Sequence, residues 1–405
     1  MDILRSLDWS TLLDWVGLLV RWTHVIAGIA WIGSSFYFIA VDASLRPNPR
    51  LPHGVSGDTW QVHGGGFYQM QKYTIAPEFL PEHLTWFKWE AYSTWIFGFA
   101  LLILIYYTNP SLYLIDTAVF NIGEFDAVTV AAGSLVLGWF AYDLLCRSWF
   151  GQDTARLAVS GFILLVAMAY LYTHLFSGRG AFIQIGALVG SIMVGNVAII
   201  IMPNQRKTVA KLIAGEEPNP IWGKEAKQRS VHNNYLTLPV VFVMLSNHYA
   251  FTYQTKWNWL ILACVFIASF LIRHWFNIKH TGAKPDWRLW PASAVPMLIA
   301  VAFTIVGHDV APIAANAAPV TFADIRPIVD RRCHVCHAAR PQFPGFAEAP
   351  KGIKFDSPAQ IRILSGQIYA QAVKTHTMPL NNVTQITDEE RQKLAAWITA
   401  GAKLN

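Results

Sequence analysis

The chain has 405 residues, of which 54% are hydrophobic and only 14% charged, with a formal charge of +6. Soluble domains carry roughly 25% charged residues. The composition therefore excludes an ordinary water-soluble protein, and the excess of positive charge must be accounted for by where it sits in the chain.

Apolar runs of about 20 residues, the length that crosses a bilayer as helix, recur eight times, at approximately 14–41, 90–107, 127–146, 157–176, 181–203, 236–253, 257–275 and 289–306. The N-terminus, Met1 to Arg5, carries neither a basic region nor a small-residue cleavage site, so no cleavable signal peptide is expected. Sixteen lysines and arginines fall in the odd-numbered loops, against Arg5, Arg179 and Lys256 in the even-numbered loops and the N-terminal segment. Positive charge stays on the cytoplasmic side, so both termini are predicted to face outward. The basic balance, with an isoelectric point near 9.1, then follows largely from topology, and no nucleic-acid partner is called for.

Polar residues inside spans are costly and are functional candidates by default. His24, His174, His248 and His308 map near the predicted outer ends of spans. His24 and His248 could ligate a non-covalent haem b; they could equally be helix-packing histidines, or serve a substrate or proton relay. Asp143 and Arg147, four apart at the inner end of the third run, suit a helical ion pair. The first inner loop holds Trp60 to Tyr73 with Gly64, Gly65 and Gly66. It reads either as a tight turn or as a place where backbone amides approach a ligand, with His63, Gln69, Lys72 and Tyr73 available for contacts. It is not a nucleotide-binding glycine motif. Ser230 to Pro239, rich in amide and imidazole, suits a planar hydrogen-bonding substrate or a helix kinked at Pro239. The candidate catalytic side chains are His63, Lys72, Glu90, His232, Asn233 and His248.

Residues 1–306 thus form a multi-span membrane domain. An Ala/Pro-rich tether without amphipathic period follows at 307–319, and residues 320–405 form a separate unit. That unit holds Cys333-His334-Val335-Cys336-His337, the attachment signature of c-type haem. Cys333 and Cys336 would hold the haem covalently and His337 would ligate its iron. Met378, before Pro379, is the expected second axial ligand, with His376 as its competitor. A zinc site would need a further Cys or His pair, and Cys146 and Cys264 lie far upstream in apolar runs. Helices are predicted from Thr321 to Arg332, from Ser357-Pro358 onward, and from a capping box at Thr387 through Trp397 to a stop at Gly401. The expected fold class is all-α: a polytopic membrane bundle of about eight spans, with a C-terminal domain like class I cytochrome c.

Gly64-Gly65-Gly66-Phe67-Tyr68, the stretch Trp86 to Trp95, and His232-Asn233-Asn234-Tyr235-Leu236-Thr237-Leu238-Pro239-Val240 resemble the membrane-bound bacterial urate oxidase (urate hydroxylase) family, in order and along essentially the whole chain. The resemblance implies a multi-span domain joined to a cytochrome c. It implies oxidation of urate to 5-hydroxyisourate with oxygen from water, and electrons passed through haem c to a respiratory cytochrome or terminal oxidase. The setting would be the bacterial cytoplasmic membrane with the cytochrome domain in the periplasm. The family's haem ligands carry over onto Cys333, Cys336, His337 and Met378. A two-electron oxidation feeding a one-electron haem needs two transfers or a second redox centre, and no flavin fingerprint or copper set is evident. The rival reading is a non-catalytic electron-transfer subunit between a quinol or partner dehydrogenase and a terminal oxidase.

Overall fold

A computed structural model describes residues 9–77, 79–306, 319–344, 346 and 348–404. His308 and the tether at 307–319, apart from Pro319, lie outside the described residues. Eight long helices coincide with the eight apolar runs: α1 Trp9–Ser44, α2 Trp89–Tyr107, α3 Glu124–Arg147, α4 Thr154–Leu175, α5 Gly178–Ile213, α6 Pro220–Ser246, α7 Asn258–His280 and α8 Leu289–Val306. Six of them, α1 to α5 and α7, are long and apolar enough to cross a membrane. Of the other two, α8 is an apolar helix of 18 residues, while α6 starts well before the predicted run at 236 and stops at Ser246, so its first half carries Lys224, Glu225, Lys227 and Arg229. Pro239 sits inside α6.

The described bundle has one heavily buried member. α5 is the centre, packed against α3, α4 and α6, whereas few residues of α1 are fully buried. Small residues allow the close approaches, a device also used between membrane helices. At Gly138 of α3 a Cβ would lie 2.3 Å from Leu188 of α5. Gly98 of α2 leaves the notch that the His24 ring fills, 2.7 Å from where its Cβ would be.

The described residues are mostly helical, and the all-α expectation fails at one place. Residues 55–73 form an antiparallel hairpin, β1 Val55–His63 and β2 Gly66–Tyr73. Gly64 and Gly65 have φ of +58° and +79°, the left-handed pair that a two-residue hairpin turn requires. The tight-turn reading of this loop therefore holds. The hairpin is fixed to the end of α1 by Arg46 N–H to Asp58 O (2.9 Å) and Asp58 N–H to Arg46 O (3.0 Å). This approach needs Gly57, where a Cβ would stand 3.0 Å from Arg46 O.

The C-terminal unit has its own core of Ile325, Val329, Ile361, Val373, Leu394 and Trp397. Its helices begin where the sequence places them: α9 Phe322–Arg332, α10 Pro358–Ile363 and α11 Asp388–Thr399, each opened by a capping box, from Thr321, Ser357 and Thr387. Burial would raise the Glu390 carboxyl, but the Thr387 N–H and the Arg332 guanidinium beside it outweigh burial and hold it below the usual range. A depressed carboxylate stabilises the fold above its unfolded pKa and loses that contribution as pH falls through the folded value. We therefore expect Thr387→Ala to destabilise this unit by about 1 kcal/mol. Glu390→Gln should flatten its stability profile on the acid side, as read by circular dichroism during acid titration.

Candidate functional site

Two polar networks are buried between the helices, in the half nearer the basic loops. α6 carries both, on adjacent residues. The first network centres on Asp143 of α3. Its carboxylate accepts from Arg147 Nε and Arg229 Nη2, each at 2.6 Å. The intrahelical pair anticipated from spacing is present, and Arg229 joins it from α6. Arg229 Nη1 donates to Asn196 Oδ1 at 3.2 Å. Asn196 Nδ2 donates to Asn233 Oδ1 at 2.9 Å and to the Tyr142 hydroxyl at 3.2 Å. Asn233 Nδ2 donates to Met193 O at 2.9 Å, and the Tyr142 hydroxyl meets His232 Nδ1 at 2.7 Å. Asn196 initiates a π-helical turn in α5, a feature frequent at functional sites. Two sequence candidates, His232 and Asn233, are thus brought together here.

The second network lies where α1, α6 and α7 meet. Asn234 Oδ1 accepts from Arg273 Nε at 2.8 Å and from Asn277 Nδ2 at 3.0 Å. The Arg273 guanidinium lies 3.8 Å from the Phe36 ring centroid, a cation–π distance. Next to it, the Tyr235 hydroxyl meets His274 Nδ1 at 2.8 Å. Arg229 and Arg273 both read as loop charges in the sequence. Each is instead buried inside a helix, 3% and 5% exposed.

An open cavity of about 700 Å³ lies at the basic end, between α1, the segment Leu84 to Trp86, the end of α5 and the start of α6. Lys72 and Lys227 line it and both pair with Asp42, Lys227 at 2.9 Å. Gln71, Gln205, Trp86 and Trp222 complete its polar and aromatic walls. Lys72 is the third sequence candidate to find a site, apart from the other two.

The remaining candidates stand separately. His63 is exposed at the hairpin turn, and Glu90 lies in the first turn of α2. His248 is exposed just beyond α6, while His24 Nδ1 donates to Thr94 O at 2.8 Å on α2. No hydrogen bond or ring contact among the described residues joins His24 to His248. His24 keeps its other ring nitrogen, so a ligand role and a packing role both fit its geometry. His174 turns back on its own helix, to Tyr170 O at 2.7 Å.

In the C-terminal unit His337 is half-buried. Burial lowers its pKa, partly opposed by the hydrogen bond from Nδ1 to Ile353 O at 3.0 Å. That bond fixes the tautomer and leaves Nε2 free to ligate a metal. His334 is engaged elsewhere, with Asp356 at 2.9 Å. Burial pushes the Cys333 thiol up to about 12 and raises Cys336, so neither is poised as a nucleophile. Met378 is anchored on both sides by backbone bonds, its N–H to Gln371 O and its carbonyl to Arg391 Nη1, each 2.9 Å. Met378 and Cys333 pack against the same apolar core. Among the described residues no group of three or more His, Cys, Asp or Glu side chains could hold a metal ion. Met378, the His337 imidazole with its Nε2 free, and the Cys333 and Cys336 thiols are the donor types that haem c would use.

The Met378 loop is also where the two units touch. Thr377 Oγ1 donates to Gln254 Oε1 at 3.1 Å, and Asn381 Nδ2 to Leu112 O at 2.8 Å. Gln254 and Leu112 belong to the loops at the end of the bundle opposite the basic loops.

A mostly helical, apolar-helix bundle with buried polar networks is the scaffold of a membrane-type oxidoreductase as readily as of a transporter, so the fold alone does not choose between them. The match of residues 10–305 to the urate oxidase N-terminal family does: the chain belongs to that family. Membership points to urate-related oxidation. Comparisons with curated proteins and with solved structures found no match.

Proposed function

We propose that this chain oxidises urate inside its membrane bundle and sends the electrons outward through a covalent haem c held by Cys333 and Cys336, with His337 and Met378 as axial ligands. When bound there, haem c supplies one-electron acceptance and transfer to a respiratory cytochrome or terminal oxidase. The overall change is urate plus water to 5-hydroxyisourate, releasing two protons and two electrons.

The observation that carries this reading is the contact between units. Thr377 and Asn381, on either side of Met378, are hydrogen-bonded to loops of the family-matched region. In this reading the oxidising domain and the electron outlet meet at the ligand loop. Lys72 and Lys227 favour entry of an anion into the cavity at the basic end. Gln71 and Gln205 offer amides to the purine edge, and Trp86 and Trp222 offer apolar faces. His232, hydrogen-bonded to Tyr142 within a buried network, is the candidate acceptor for one of the two protons. In this reading the cavity faces the cytoplasmic side of a bacterial inner membrane and the C-terminal unit the periplasm, the arrangement that the loop charges favour.

Anaerobic addition of urate to the purified full chain tests this. Stoichiometric reduction of the haem absorbance is expected, two haem equivalents per urate. Reduction by quinol but not by urate would replace it with the electron-transfer-subunit reading. The same preparation counts haems: a pyridine haemochrome spectrum showing a b-type signal would bring His24 and His248 forward as ligands of a second centre.

A further inference from the structure

Two arginines are buried in this bundle, and only one has an anion. Arg229 is paired with Asp143 at 2.6 Å. Arg273, 5% exposed, has no carboxylate within ion-pair distance among the described residues. Buried charges are normally paired, and within a membrane an ionisable side chain without a partner marks a functional site. The atoms around Arg273 tell the same story. Its Nη2 is buried and without a hydrogen-bond partner, as are Asn234 Nδ2 and Asn277 Oδ1. Asn234 is completely buried. Buried polar groups are almost always satisfied, and here three unsatisfied ones belong to three side chains already bonded to one another.

The geometry points to Arg273, Asn234 and Asn277 as the binding site for the anionic edge of a purine substrate, an inference that rests on the urate reading above. The site offers two N–H donors, one of them cationic, and one amide acceptor. Urate at neutral pH is a flat monoanion whose edge alternates carbonyl oxygens with N–H groups, so it answers all three. The Phe36 ring lies 3.8 Å from the guanidinium and helps to hold that group in place. The cavity at the basic end gives the approach, although it does not itself reach these three side chains. It is lined on α6 by Gly223, Ala226, Lys227 and Ser230, a helical stripe of three- and four-residue steps. One further step along it is Asn234. The lysines at the mouth attract the anion, and Arg273 holds it deeper in the bundle.

The test measures binding apart from turnover, with the full chain held reduced and anaerobic, by equilibrium dialysis against radiolabelled urate and against hypoxanthine, a neutral purine. Wild type is expected to bind urate and to prefer it to hypoxanthine. Arg273→Gln should weaken urate about 100-fold and abolish the preference, the loss expected for one charge-assisted contact. Asn277→Ala, which keeps the arginine, should weaken urate about 10-fold. It carries the test if Arg273→Gln lowers the melting temperature or loses the haem spectrum. Wild-type urate affinity in folded Arg273→Gln, or in Asn277→Ala where Arg273→Gln does not fold, overturns this assignment and leaves urate oxidation standing. No urate binding by wild type overturns both.

Discussion

Asp143→Ala is expected to destabilise the helical bundle by about 3–5 kcal/mol, because removing one partner of a buried pair strands the other charge. The stranded group is Arg229, only 4% of whose side chain is exposed. Arg147→Ala should cost at most about 1 kcal/mol, although Arg147 lies as close to the same carboxylate. Its side chain is 56% exposed, so solvent already screens its pairing, and Asp143 keeps Arg229 as its partner. The contrast separates a burial effect from simple loss of an ion pair. Replacing both buried charges, with Asp143→Asn and Arg229→Met, should recover much of the loss, since well-packed apolar groups often match a buried pair. Thermal unfolding of the detergent-solubilised protein, followed by tryptophan fluorescence, measures all three. Equal losses for Asp143→Ala and Arg147→Ala would show that the network around Asn196 does not depend on the buried pair.

Part of this network is visible in the sequence and part is not, for a physical reason. The i,i+4 spacing of Asp143 and Arg147 is a local property of one helix and can be read directly. Arg229 is 86 residues away, and nothing local says that its helix folds back onto α3. Positive charge near an apolar run reads as loop because cytoplasmic loops are where it usually lies. That rule placed Arg229 and Arg273 outside the bundle, and their burial in α6 and α7 is tertiary information. Arg273 and Asn277 did leave one trace. They are four apart at the end of an apolar run, and so share a helix face. The hairpin at 55–73 was hidden differently: both its faces mix polar and apolar residues, with Phe67 and Val62 exposed at 80% and 71%, so the period-two signal of a half-buried strand is absent. Only its Gly-Gly turn could be read. The C-terminal unit was far more legible, since capping boxes are sequence-local devices and three of them mark its helix starts.

The loop around Met378 gives the other large expected effect. With haem c attached, Met378→Ala should lower the reduction potential on the order of 0.1–0.3 V, inside the roughly 0.8 V that axial ligands span. It should also open the iron to carbon monoxide, which the six-coordinate wild type excludes. The competing ligand is His376, two residues earlier in the same loop. If His376 were the ligand, Met378→Ala would leave the potential and the spectrum unchanged, and His376→Ala would shift them. The backbone contacts favour the methionine. Its N–H and carbonyl are both held, by Gln371 and by Arg391, whose Nη1 also bonds Ala372 O. Arg391 sits in the last helix and is 4% exposed, so the position of Met378 is tied to the core of the unit and not only to its loop. Met378→His separates ligation from packing. It should restore carbon monoxide exclusion while keeping the potential low, because imidazole lacks the thioether's preference for reduced iron. Redox titration and carbon monoxide difference spectra on the three variants decide between the two ligands. The same variants bear on electron entry: Thr377 and Asn381 dock this loop on the bundle, so a displaced loop should slow urate-dependent reduction more than dithionite reduction.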